Sequence, residues 1–192
     1  MAFERKDRFF HKAKAEGFLA RSAYKLDELQ KKYRLFKAGD FVVDLGAAPG
    51  AWSQVAIKAL GPSGRLVGLD LKPVDLKAPN AAFYQMDVFQ FDPAILSDRQ
   101  PKCILSDMAP NTTGVRNVDQ ARSLDLCLEV VKLAGQYLAP QGNLVLKLFE
   151  GPDAEKVAAE MNKMFANVRR YKPEAVRKGS FETYFIGLAK RD

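Results

Sequence analysis

Short apolar runs of strand-like composition alternate with helical patterns along most of this chain, and few folds accommodate that rhythm. Residues 40–45, 65–71, 81–86, 102–106, 143–149, 167–171 and 183–188 read as strands. Residues 22–33, 51–60, 118–138 and 153–165 read as helices, with Ser22 as the N-cap of the first. The strand runs are too apolar to leave one face of a sheet in water, so helices must cover both faces. The expectation is an α/β fold on a parallel sheet. A chain of 192 residues is long enough for one domain with its own core. No repeat, low-complexity tract or linker divides it. Residues 1–37 read as a basic helical extension, and 38–192 as the core.

Sheets of this kind bind ligands beyond the C-terminal ends of their strands, so the residues just after each strand carry the functional signal. The first strand is followed by Val42-Val-Asp-Leu-Gly46-Ala-Ala-Pro-Gly50-Ala-Trp-Ser-Gln54. Gly46 and Gly50 allow the backbone to approach a ligand, and the helix that follows offers free N–H groups. The spacing is G-x-x-x-G, so the dinucleotide fingerprint G-x-G-x-x-G is absent. Asp70, after the second strand, suits ribose hydroxyls; Asp87, after the third, suits an adenine amino group; Asp44 beside the turn suits an ammonium. Each alone is equally a turn or cap residue. Together they fit an adenosine ligand whose tail is not a polyphosphate.

Lys147 interrupts the apolar run Asn143–Phe149. A charge inside such a strand is costly unless it is paired or neutralised. A strand-end position or a structural carboxylate would also account for it. Asp107, in the Ser106–Asn111 loop, Glu182, ahead of the last strand, and Lys25, on the first helix, each read singly as ordinary surface or turn residues.

The net charge of +7 is unevenly placed. Residues 1–37 hold 11 Lys/Arg against 5 Asp/Glu, and residues 163–178 hold 6 (Lys163, Arg169, Arg170, Lys172, Arg177, Lys178) against Glu174 alone. Phe3, Phe9, Phe10, Phe18 and Tyr24 interleave the basic head. Two basic patches with aromatic faces suit a polyanion with unpaired bases; a solvated basic helix packed through its aromatics is the other reading. Cys103, Cys127 and the single His11 show no ligand spacing, so no metal site is expected, and two buried thiols fit a reducing cytosol. No run of about 18 apolar residues suggests a membrane span. The N-terminus lacks an apolar signal core, and Glu4, Asp7 and Glu16 argue against a transit peptide.

The chain resembles the RrmJ/FtsJ-type RNA 2′-O-ribose methyltransferases over nearly its whole length. The resemblance rests on Arg21-Ser-Ala-Tyr-Lys25-Leu-Asp-Glu, Val42 to Gln54, Ser106-Asp-Met-Ala-Pro-Asn111, Leu146-Lys147-Leu-Phe and Ser180-Phe-Glu182-Thr-Tyr184. It implies a Rossmann-like class I S-adenosylmethionine-dependent methyltransferase with a mainly parallel seven-stranded sheet. The family's K-D-K-E tetrad falls on Lys25, Asp107, Lys147 and Glu182, and its cofactor-contacting positions on Gly46, Gly50, Trp52, Asp70, Asp87 and Asp107. Ala51 replaces a glycine common in the family. The resemblance further implies S-adenosylmethionine as cofactor, and as substrate a uridine of large-subunit ribosomal RNA, within the 50S-type subunit, in the peptidyl-transferase region. It implies no DNA or membrane partner, and a cytoplasmic monomer. A transfer RNA anticodon loop is the alternative substrate, and a non-catalytic assembly factor the alternative class.

For such chemistry the expected base is Lys147 in its neutral form. An unperturbed lysine titrates near about 10.4, so this role calls for burial and a cationic neighbour, Lys25. Asp107 and Glu182 would aim the two amines, with Glu182 auxiliary. A charged Lys147 that only steers the hydroxyl is the competing role.

Overall fold

The computed structural model describes residues 8–177 and 179–192. Phe3, Glu4, Arg5, Lys6, Asp7 and Lys178 lie outside the described residues. Helix α1 (Arg8–Ala15) and helix α2 (Ala23–Tyr33) precede β1 (Phe41–Leu45), α3 (Ala51–Leu60), β2 (Arg65–Asp70) and β3 (Ala81–Gln85). Two short 3-10 turns lead to β4 (Cys103–Ser106), α4 (Arg116–Tyr137), β5 (Asn143–Phe149), α5 (Ala154–Met164), β6 (Phe165–Tyr171) and β7 (Glu182–Lys190). Among the described residues these strands form one seven-stranded sheet, ordered β3-β2-β1-β4-β5-β7-β6.

The sheet is mixed: mainly parallel, as the resemblance implies, but not parallel throughout, as the alternation of strands and helices alone suggested. Strands β1 to β5 run parallel to one another, whereas β7 runs antiparallel to both β5 and β6. The physical reason lies in the connection. A parallel neighbour needs a crossover of a dozen or more residues, usually helical. Residues 172–181 between β6 and β7 contain no helix, so the chain turns back instead. The reversal carries the start of β7 to the edge where β5 ends, with Glu182 opposite Phe149 and Tyr184 opposite Lys147.

Apolar side chains fill both sides. Leu146, Leu148 and Phe185 pack with α4 and α5 through Cys127, Val131 and Val157. Val145, Tyr184 and Ile186 pack with α2 and α3 through Leu26, Leu29 and Trp52. Local chemistry sets the element ends. Ser22 is itself helical in conformation, and its side chain makes no capping bond, contrary to the N-cap reading. The amides of Ala23, Tyr24 and Lys25 already bond to the carbonyls of Ala20, Arg21 and Ser22, so the usual orphan donors are spent. Arg34, in the left-handed region, closes α2 by donating its amide to Gln30 O.

Candidate active site

The turn after β1 is shaped by close approach. Gly46 has φ +79°, and a Cβ there would stand 2.3 Å from Met108 Cγ, so a side chain is excluded by strain and by space. Gly46 and Ala47 both donate their amides to Leu69 O, at the end of β2. Asp70 then accepts from Ala48 N at 3.0 Å and from Lys72 N at 2.8 Å, one bond to each oxygen. Each oxygen keeps a second lone pair for an outside donor. Asp87 is held likewise, accepting from Phe89 N at 3.0 Å to cap a 3-10 turn. Gly46, Ala48, Asp70, Asp87, Phe89 and Asp107, among others, line a cleft of about 400 Å³.

Asp44 lies behind this turn and is wholly buried. One carboxylate oxygen accepts from Ser53 Oγ at 2.6 Å; the other has no hydrogen-bond partner. Burial, reinforced by the Asp107 and Asp70 carboxylates, pushes its pKa up to about 7 against the pull of Ser53. An orphaned buried carboxylate oxygen suits an ammonium, although Asp44 itself is not among the residues that line the cleft. Gly50 and Trp52 do not line the cleft. Gly50 starts α3 at φ +112°, and the Trp52 ring is buried, stacks on Tyr184 and donates its indole N–H to Ser22 O at 2.9 Å.

Lys25, Asp107, Lys147 and Glu182 come together at the same edge of the sheet. Both lysines are only 7% exposed. Lys25 Nζ lies 2.6 Å from Glu182 Oε2. Lys147 Nζ lies 3.1 Å from Asp107 Oδ1 and donates to the Asp107 carbonyl at 2.5 Å. Tyr184, fully buried on β7, donates its hydroxyl to the same Asp107 oxygen at 2.7 Å. Burial alone would raise the Asp107 pKa, yet Lys147, Lys25 and the Tyr184 hydroxyl together hold it below the ordinary carboxylate value. Lys25 also sits 5.6 Å from the Tyr184 ring centroid. Sequence reasoning gave Tyr184 no role. The signal was available: in a strand, residues two apart share a face, so Tyr184 had to accompany Glu182.

The loop that carries Asp107 is tied to the start of α4. Asp119 accepts from Thr113 N (2.7 Å), Thr113 Oγ1 (2.9 Å) and Gly114 N (3.2 Å), and Arg122 donates to Asn111 O. The two basic regions also meet. Ala13 of α1 and Tyr24 of α2 pack with Ala175, and Arg21 donates a hydrogen bond to Ala175 O. Glu28 accepts from Tyr171 Oη and from Glu174 N, fastening the β6–β7 connection to α2. Cys103 and Cys127 are buried thiols whose pKa values burial pushes up. Among the described residues no group of three His, Cys, Asp or Glu is placed to hold a metal, and no helix is long and apolar enough to cross a membrane.

A family model described as FtsJ-like methyltransferase matches residues 18–190. A Bdellovibrio bacteriovorus protein named ribosomal RNA large subunit methyltransferase E is 43% identical, with all of both chains covered. Its namesake from Oleidesulfovibrio alaskensis is 43% identical over 95% of this chain and 91% of its own. Among solved structures, a Plasmodium falciparum protein described as a ribosomal RNA methyltransferase superposes with TM-score 0.78 at 27% identity, covering 90% of this chain and 98% of its own. Aeropyrum pernix fibrillarin, solved with natively bound S-adenosyl-L-methionine, shares the fold at TM-score 0.58 and 14% identity, over 87% of this chain and 76% of its own.

Proposed function

The chain belongs to the FtsJ-like methyltransferase family, and from that premise we propose that it transfers a methyl group from S-adenosylmethionine to the 2′-hydroxyl of a ribose in large-subunit ribosomal RNA. The observation that carries this reading is the convergence of Lys25, Asp107, Lys147 and Glu182, from four separate parts of the chain, with Asp107 belonging both to that cluster and to the cleft wall. The relatives named for large-subunit methylation supply the substrate class; its proposed target is a uridine of the peptidyl-transferase region in the 50S-type subunit. The protein acts as one catalytic domain whose basic extension grips RNA.

Bound in the cleft, the cofactor supplies a sulfonium methyl with a good leaving group. Asp70 and Asp87 would hold its ribose and adenine, and Asp44 its ammonium. What remains is to orient and deprotonate a hydroxyl that barely ionises near neutral pH. Asp107, held below the ordinary carboxylate value, is a poor base, and its contacts suit it to aiming Lys147. In this reading the Lys147 ammonium, paired with Asp107, first sheds a proton, and the free amine then takes that of the hydroxyl, a task that contributes about 10²–10⁴-fold where a base is well placed. Lys25 orients the hydroxyl oxygen while Glu182 steadies Lys25.

Undermethylated large subunits incubated with methyl-labelled cofactor test the reading directly. Label mapping to a ribose 2′-oxygen of that RNA is the expected result, and label on transfer RNA alone would replace the substrate. Lys147→Ala is expected to lower the single-turnover rate by about 100-fold or more. The wild-type rate should rise with pH as a lysine-like group loses its proton; a rate flat through that range would leave Lys147 with steering alone.

A further inference from the structure

We propose that Arg116 and Phe181 form a stacking platform for an unpaired RNA base at or beside the methylated ribose; this rests on the functional reading above and adds a contact that selects single-stranded substrate. Phe181 directly precedes Glu182, and its carbonyl accepts from Glu150 N at 2.7 Å where β5 and β7 end. Its ring packs edge-on against Phe149, with centroids 4.8 Å apart, and Phe149 is buried. Phe149 lies two residues from Lys147 on the same face of β5, roughly 7 Å along the strand. A ribose held at Lys25 and Lys147 therefore places its own base, or the next one, within reach of Phe181.

Arg116 covers the Phe181 ring with its guanidinium carbon 5.5 Å from the centroid. Arg116 is exposed in the first turn of α4, where the helix dipole disfavours positive charge. Val115, just before it, is 57% exposed. The nearby Glu150 carboxylate, which would repel phosphate, is occupied by Arg170. A rigid aromatic ring backed by a second ring, with a planar cation over it, is the arrangement that grips a base by its π-face without reading its edges. One turn along α4, Gln120 donates to Glu150 O, which fixes the distance between helix and strand end on which the platform depends.

The test compares binding of a single-stranded oligouridylate with that of the same backbone lacking its bases, for the wild type, Phe181→Ala, Phe181→Leu and Arg116→Ala. Stacking on one aromatic ring is expected to give the wild type roughly a tenfold to hundredfold preference for the oligomer with bases. Phe181→Ala should abolish most of that preference, and Phe181→Leu and Arg116→Ala should each reduce it. Affinity for the cofactor should stay unchanged in all variants. A preference equal in wild type and Phe181→Ala, or a loss of affinity shared equally by both oligomers, overturns the platform. Wild-type methylation of undermethylated large subunits is measured alongside. Methylation with no effect of Phe181 on base preference refutes the platform alone, whereas absence of methylation refutes the functional reading and the platform with it.

Discussion

Two acids at the ends of neighbouring strands, Asp44 buried and Asp107 on the cleft wall, behave in opposite ways. Asp107 gathers cations and a hydroxyl and is held low; Asp44 has one serine and an empty second oxygen, and is pushed up to about 7. The sign follows from linkage. The folded Asp44 keeps its proton above the pH at which the unfolded chain releases it, so its contribution is complete below about pH 4. That contribution is lost as pH rises towards 7. Relative to Asp44→Asn, the wild type should therefore lose stability between those values, by at most about 4 kcal/mol, as read from denaturant unfolding at a series of pH values. Tyr184→Phe makes the complementary case. It strips Asp107 of a hydrogen bond to a charged acceptor, worth about 1.5–3 kcal/mol, and relaxes one of the forces holding that carboxyl down. Thermal stability should fall, and acid unfolding should set in at a higher pH than in the wild type, because the Asp107 contribution is lost earlier as pH falls. Lys25, Asp107, Lys147 and Glu182 were legible as a set only through the family resemblance; read singly, all but Lys147 passed for surface or turn residues. For Tyr184 only the face it shares with Glu182 was legible; its bond to Asp107, 77 residues away in sequence, needed the fold. Trp52, expected near the cofactor, turns inward to Ser22 and Tyr184; spacing marks a residue, but only packing decides which way its ring points.

At the scale of elements, the binding turn is a contact between loops rather than a property of one of them. The β1–α3 turn closes on Met108 of the β4 loop, and that loop is in turn moored by Asp119 and Arg122 of α4. Gly46→Ala should break this contact. A left-handed backbone with a side chain costs of order 1–3 kcal/mol, before any displacement of Met108. The expected outcome is a lower melting temperature together with weaker cofactor binding by calorimetry, while Gly61→Ala, at a positive φ with open space around it, should lower stability alone. The strands and the long helices follow from local periodicity, and most sequence boundaries fall within two residues of those observed. The direction of β7 does not follow from such patterns. A run such as Thr-Tyr-Phe-Ile-Gly-Leu reads the same in either orientation, and only the ten helix-free residues before it hinted at a return.

For the whole molecule, the two basic ends of the sequence become one region, because α1 packs on Tyr24 and Ala175 while Glu28 holds the β6–β7 connection to α2. Composition showed two patches; their adjacency required the fold. If this region holds phosphates, charge reversal of Arg8 and Lys14 should raise KM with a smaller effect on kcat. It should also flatten the dependence of log K on log salt by about 0.7–0.9 for each phosphate no longer neutralised. Titrations of RNA binding at several ionic strengths measure this; an unchanged slope would place the RNA elsewhere.

Strand β6 is made before β7 yet touches the sheet only through it. A nascent chain halted ahead of Glu182 would thus leave the border of β5 unzipped, a sticky surface of the kind chaperones bind. It would also lack Glu182 and Tyr184, so Lys25 would lose its carboxylate partner and Asp107 its hydroxyl donor until the final strand slid home between its elder neighbours.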